Sequence, residues 1–164
     1  MNIYTELEVA ASVEAAWQVI GGKFGEVGDI ITALESSSLI GELNVGAIRK
    51  CRTNGVGPFP PAEVEERLVE FDPDNYRYTY VAHSGLPKMF TRAQNTWTID
   101  KINSHSCVIK SHAAVEVTMW FRPFAWLVPL MIKRDLNRVF EELGYYIEHQ
   151  KVHPRKIQLA LETS

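Results

Sequence analysis

The chain is poor in cysteine, in charge of one sign and in long apolar runs, and each shortage closes off a class of function. Only Cys51 and Cys107 occur, far apart and without metal-type or redox-type spacing. A disulfide scaffold and a zinc module are therefore not indicated, and two reduced thiols in a reducing compartment are expected. Seventeen Lys and Arg stand against twenty Asp and Glu, a formal net charge of −3, so no global basic field invites nucleic acid. No glycine-rich phosphate loop, nucleophile elbow or His-Glu-x-x-His motif is present. The opening residues, Met1 to Glu6, lack a basic stretch followed by an apolar core, and a cytoplasmic protein is expected. The most apolar run, Met119 to Ile132, is broken by Arg122, Pro123 and Pro129. It falls short of the roughly 20 residues that a membrane span needs. It reads as a strand end feeding the first turns of a buried helix. Interfacial membrane contact by Trp120, Phe121, Phe124 and Trp126 is the alternative.

What is present suits one compact domain. A chain of 164 residues buries roughly 70% of its unfolded surface on folding. We assign residues 1–153 to a single ligand-binding domain and 154–164 to a C-terminal tail of uncertain order. Asn2 to Ala10 alternates as a strand. Ser12 is placed as the N-cap of a helix through Ile20, which Gly21-Gly22 ends. A second short helix covers Phe24 to Ile31. Six strands follow at about 32–40, 45–53, 62–71, 76–83, 91–99 and 107–118, with Asp72-Pro-Asp-Asn75 as a turn. The Gly- and Pro-rich connection Asn54 to Pro61 is longer than a hairpin needs, which suggests a loop at an opening. From Phe124 the period becomes helical. Val128, Ile132, Leu136, Val139, Phe140, Leu143 and Ile147 form an apolar stripe, and Lys133, Arg134, Arg138, Glu141 and Glu142 mark the wet side.

Strand parity places polar groups where a sealed core would hold aliphatic ones. Val64, Glu66 and Leu68 share one face. Tyr76, Tyr78 and Tyr80 share another, as do Ala93, Asn95, Trp97 and Ile99. Inward hydroxyls and charges need partners, and a concave sheet holding a ligand supplies them. Arg49 and Glu66 form the sharpest pair: a grip on a polar ligand head, an acid/base unit, or a structural ion pair. The tyrosines either line a pocket or pack beneath the long helix. His83, His105 and His112 have no ligand spacing, His149 and His153 stand at a fraying end, and neither metal nor cofactor is expected.

The order of elements, with Ser12-Val-Glu-Ala-Ala-Trp17, Gly46-Ala-Ile-Arg49, Glu66-Arg-Leu-Val-Glu-Phe-Asp72 and Tyr76-Arg-Tyr-Thr-Tyr80, resembles the SRPBCC superfamily. This is the START-like, helix-grip group, and the likeness is to its polyketide cyclase/dehydrase and lipid-transport branch over roughly residues 3 to 150. The resemblance implies an α+β helix-grip fold: a seven-stranded curved antiparallel sheet wrapped around a long C-terminal helix, with two short helices after the first strand. It implies inward roles for Arg49, Glu66, Tyr80, Asn95 and Ser111, to which parity and the helical stripe add Tyr78, Trp97 and Phe140 as ligand-binding residues. Ser84-Gly-Leu-Pro87 matches a gate loop of plant hormone receptors in this superfamily but lies one hairpin later, and we read it as turn chemistry. Two functions follow. One is a binder or carrier of a hydrophobic small molecule, such as a lipid, polyketide or aromatic metabolite. The other is a cyclase or dehydratase with Glu66 as acid/base and Arg49 orienting it. A protein-interaction module using the Gly/Pro-rich loop is a third. A monomer or homodimer without nucleic-acid partner or membrane span is expected.

Overall fold

Alternation of apolar and polar residues, broken by Gly, Pro and Asn at the turns, builds one antiparallel sheet. The computed structural model describes residues 1–55 and 60–162. β1 (Asn2–Val9) leads to α1 (Val13–Ile20) and a short 3-10 turn (Phe24–Asp29). Six strands follow: β2 (Leu34–Ile40), β3 (Ile48–Thr53), β4 (Glu63–Asp72), β5 (Arg77–Ser84), β6 (Phe90–Lys101) and β7 (Cys107–Val117). A second 3-10 turn (Met119–Phe124) precedes α2 (Leu127–His149) and α3 (Pro154–Glu162). The strand order is β1-β7-β6-β5-β4-β3-β2, antiparallel at every pairing. The expected α+β helix-grip architecture is therefore present. The central Gly/Pro-rich connection, expected at an opening, includes residues 56–59, which lie outside the described residues.

Local chemistry sets the boundaries. Ser12 Oγ accepts the Ala15 amide at 3.2 Å and starts α1. Asp72 Oδ1 accepts the Asn75 amide at 3.2 Å and closes the β4–β5 turn. The register shifts twice within β4, between Glu65 and Glu66 and between Leu68 and Glu70. Such irregularities bend a strand, and here they curl the sheet around α2.

α2 is seated unevenly. Its buried residues are Val128 near the start and Phe140, Glu142, Leu143, Gly144 and Ile147 near the end. At the seated end, a Cβ on Gly144 would lie 2.8 Å from Leu7 Cδ2 of β1. The missing side chain lets helix and strand approach this closely without displacing Leu7. Two expectations need correction here. Glu142, assigned from helical spacing to the wet side, is 0% exposed. Its carboxylate accepts the Thr32 amide and the Thr32 hydroxyl, each at 2.7 Å, and Arg155 Nη1 at 3.1 Å. Helical periodicity cannot see the loop before β2 and the later helix that cover this face. The segment read as an uncertain tail supplies that cover as α3, with Arg155 also paired to Glu141 at 3.0 Å.

The second correction concerns the run after β7. Much of it is not buried: Met119, Trp120, Phe124, Trp126 and Leu130 are all exposed, while Phe121, Val128 and Ile132 join a core cluster with Met89 and Val115. The short 3-10 geometry turns successive side chains outward before α2 reaches the sheet. Among the described residues, no helix is long and apolar enough to cross a membrane.

Breaking the Glu142 anchor has a defined cost. Glu142→Ala leaves two buried Thr32 donors without an acceptor and is expected to destabilise the fold by about 3 kcal/mol. Arg155→Ala, which keeps both Thr32 bonds, costs less. Urea unfolding of the two variants checks the ranking, and an unchanged midpoint for Glu142→Ala rules the anchor out.

Candidate functional site

Because α2 is lifted at its N-terminal half, side chains do not fill the space beneath it. An outer cavity of about 320 Å³ lies between α2 and strands β4 to β7. An inner one of about 160 Å³ continues toward α1. Glu66, Tyr80, Leu136 and Val139 line both, so the two chambers adjoin. The outer wall is mainly apolar. Val128, Met131 and Ile132 come from α2, and Leu86, Pro87 and Met89 come from the β5–β6 connection.

Register places the polar groups. Arg49 of β3 stands opposite Glu66 of β4, and Tyr80 of β5 opposite Asn95 of β6. The Arg49 guanidinium donates from Nε to Glu66 Oε2 at 2.7 Å and from Nη1 to the Phe24 carbonyl at 3.0 Å. Nη2 reaches the same Glu66 oxygen at 2.5 Å. The guanidinium lies 4.0 Å from the centroid of the Phe24 ring and 4.9 Å from that of the Tyr80 ring, two cation–π contacts from rings tilted against each other. Cys51 Sγ approaches Glu66 Oε2 at 3.4 Å. Every bond to the Glu66 carboxylate within the described residues thus falls on Oε2, which leaves Oε1 to accept from a ligand.

Burial and neighbouring charge hold the protons on Arg49, Cys51, Tyr78 and Tyr80. Burial opposes the charge on Arg49, which is 6% exposed, yet Glu66 together with Tyr80, Cys51 and Tyr78 outweighs it and holds the guanidinium above its ordinary pKa. Burial pushes the Cys51 thiol up to about 12, so it is no nucleophile near neutral pH. Burial, reinforced by Glu66, takes the Tyr80 hydroxyl to about 12, and Tyr78 is raised further by burial. Both tyrosines are therefore hydrogen-bonding groups rather than proton-transfer groups. Asp135, half-buried on the outer wall, is raised by burial against the pull of Arg138 and Arg134.

The other predicted site residues sort by position. Asn95 lines the outer chamber. It accepts from Ser111 Oγ at 2.7 Å and makes a long 3.5 Å contact from Nδ2 to the Tyr80 hydroxyl. Tyr78 and Trp97 line the inner chamber. The buried Trp97 Nε1 has no partner in hydrogen-bonding geometry and bears on Tyr80, whose ionisation it eases slightly. Ser111 and Phe140 line neither chamber: Ser111 steadies Asn95 from behind, and Phe140 stacks on Trp97 at 5.0 Å. Tyr76, at φ +50° before β5, packs on Trp17 instead.

Sequence reasoning missed the mouth. Ser84-Gly-Leu-Pro87 is more than turn chemistry, because Leu86 and Pro87 overhang the outer chamber. Gly85 permits this at φ +79°, with its Cα so close to β4 that a Cβ would meet the Glu63 carbonyl oxygen at 1.9 Å. Met131 and Asp135 were also missed, since neither belongs to the aliphatic stripe. His149 and His153 flank Tyr145 at 4.5 and 5.0 Å, and no cluster of metal-ligating side chains occurs among the described residues.

Known proteins share this fold. Norcoclaurine synthase from Thalictrum flavum, solved as a point mutant with a transition-state analogue, is 26% identical. The match covers 90% of this chain and 93% of that one, with a TM-score of 0.73. XoxI from Bacillus cereus is 18% identical over 93% of this chain and 99% of that one, with a TM-score of 0.73. TTHA0849 from Thermus thermophilus is 15% identical over 90% and 97%, with a TM-score of 0.75. The last two show a common fold alone. No curated protein matches the chain. The sequence profile for polyketide cyclase / dehydrase and lipid transport matches residues 1–148. The chain therefore belongs to the polyketide cyclase/dehydrase and lipid-transport family, within the START-like, helix-grip superfamily.

Proposed function

We propose that the protein binds an elongated, mainly apolar small molecule bearing a neutral hydroxyl at one end, and that it acts as a carrier or binding protein. The observation that carries this reading is the pairing of a mainly apolar outer chamber with Glu66 Oε1, an oxygen that no bond within the described residues uses, on a residue that borders both chambers. An outer volume of about 320 Å³ is at the small end of the roughly 300–1,000 Å³ typical of small-molecule sites. The inner chamber extends it. Arg49 already balances the Glu66 charge, so a cationic head would stand beside a buried guanidinium. A neutral donor fits, with Tyr80 and Asn95 as further partners. Lipids, polyketides and aromatic metabolites with a terminal hydroxyl all meet this description.

Catalysis is the second reading. The 26% identical norcoclaurine synthase was solved with a transition-state analogue, so chemistry occurs on a related scaffold. Glu66 would serve as acid/base toward a bound carbonyl compound, oriented by Arg49. The chambers favour binding because the tyrosines beside Glu66 hold their protons to about pH 12 or beyond and so are poor partners in a proton relay.

Native mass spectrometry of the purified protein, followed by denaturing extraction, is expected to recover an apolar hydroxyl compound. Val139 borders both chambers, so Val139→Trp should empty the protein while leaving it folded. Recovery of the same compound from Val139→Trp would place the ligand elsewhere.

The polar end is tested separately. Glu66→Gln alone strips a buried Arg49 of its counter-charge and costs about 3 kcal/mol or more of stability. The double variant Arg49→Met with Glu66→Leu removes both charges together. It should fold and bind the extracted compound about tenfold more weakly, as expected for one lost bond to a charged group. Loss of turnover on a carbonyl substrate with unchanged affinity would instead establish the enzyme.

A further inference from the structure

The turn from β7 into α2 carries large apolar side chains that the fold leaves open. Trp120 and Trp126 are 66% and 67% exposed, and Met119, Phe124 and Leu130 are each more than half exposed. Phe121 turns inward and props two of them, with Trp120 edge-on at 5.5 Å and Phe124 at 5.8 Å. The ledge is thus a braced set of rings rather than a loose tip. Tryptophan and phenylalanine beside cations, on a segment too short to span, suit the headgroup zone of a bilayer.

The charge pattern points the same way. Between Glu116 and Asp135 the chain carries Arg122, Lys133 and Arg134 and no carboxylate, although its overall net charge is −3. Leu130 of the ledge borders a polar groove on the outer side of α2 that also holds Lys133, Arg134 and Arg138. Those three cations form no ion pair among the described residues, and the groove's one carboxylate, Glu141, is taken by Arg155. The next residues along the same turns, Val128, Met131 and Ile132, face the outer chamber. Ledge and cavity wall are therefore adjacent faces of one helix.

We propose that this ledge is a membrane-docking surface. Met119, Trp120, Phe124, Trp126 and Leu130 insert among the headgroups of an anionic phospholipid bilayer, and Arg122, Lys133 and Arg134 meet the lipid phosphates. Docking would set the chamber's α2 wall against the bilayer, where an apolar compound can pass with little exposure to water. The surface stands apart from the cavity reading, because none of these ledge residues lines either chamber.

The test uses the full chain with phosphatidylcholine vesicles, with and without phosphatidylglycerol. Trp17 and Trp97 are buried, so a change in tryptophan emission on docking reports Trp120 and Trp126. Cosedimentation with the anionic vesicles, a blue-shifted emission and weakening by salt are expected. Lys133→Ala with Arg134→Ala should lower partitioning by about thirtyfold, the effect of two cations at an anionic surface. Trp120→Ser with Trp126→Ser should abolish docking without moving thermal unfolding or ligand recovery. Wild-type protein that stays in solution with both vesicle types overturns the proposal. So does docking that survives the double tryptophan variant. A concentration-dependent dimer in sedimentation velocity that the tryptophan variant dissolves would assign the ledge to self-association instead. Failure to recover a ligand from the cavity touches none of these outcomes.

Discussion

The carboxylate of Glu142 holds the C-terminal half of α2 to the rest of the protein. It accepts two bonds from Thr32 and one from Arg155, so one buried group joins α2, the loop before β2 and α3. A carboxylate withdrawn from water this completely is tolerated because both of its oxygens accept hydrogen bonds. Gly144 seats the same half of the helix against Leu7. Nothing comparable holds the N-terminal half, where Val128 is the one buried residue among the first turns. A rigid helix fastened at one end over a concave sheet leaves a wedge of space at the other. The cavity is the geometric result of that asymmetry.

Inside the wedge, the charged pair stands where the two chambers adjoin. Arg49 and Glu66 form an ion pair, and the Phe24 and Tyr80 rings pack against the guanidinium. In a low-dielectric setting such a pair is stable when its remaining hydrogen-bonding capacity is met, which the Phe24 carbonyl does for Arg49. Glu66 Oε1 is the exception, on a residue that lines both chambers. The surrounding hydroxyls and the thiol are held protonated by burial. The site thus discriminates by shape and by one hydrogen bond, with little means to shuttle protons.

The exterior follows from the same lifted end. Where α2 leaves the sheet, its first turns and the preceding 3-10 turn have no layer above them, so their apolar residues face outward. The aromatic ledge and the cavity mouth are two consequences of one unseated helix start. That proximity gives an apolar molecule a short path between a bilayer and the chamber.

Much of this was legible in the residues. Period-two alternation identified the strands and put Glu66, Tyr78, Tyr80, Asn95 and Trp97 on the inner face, because side-chain direction in a strand is local geometry. Ser12 capping α1 and the Asp72–Asn75 turn are likewise local. Glu142 was not legible, since helical spacing assigned it to solvent and only the distant Thr32 and Arg155 make its burial tolerable. Phe140 and Ser111 illustrate the same limit: their inward direction could be read, but whether they meet the cavity or a neighbouring side chain depends on what stands in front of them. Leu86 and Pro87 reach the mouth only because Gly85 presses against β4. The sequence by itself determined element type, order and the inward parity of the polar residues, all set by neighbours along the chain. Tertiary structure alone decided which inward faces meet a void, which charge is buried and which apolar run is bare, because those depend on how far α2 sits from the sheet.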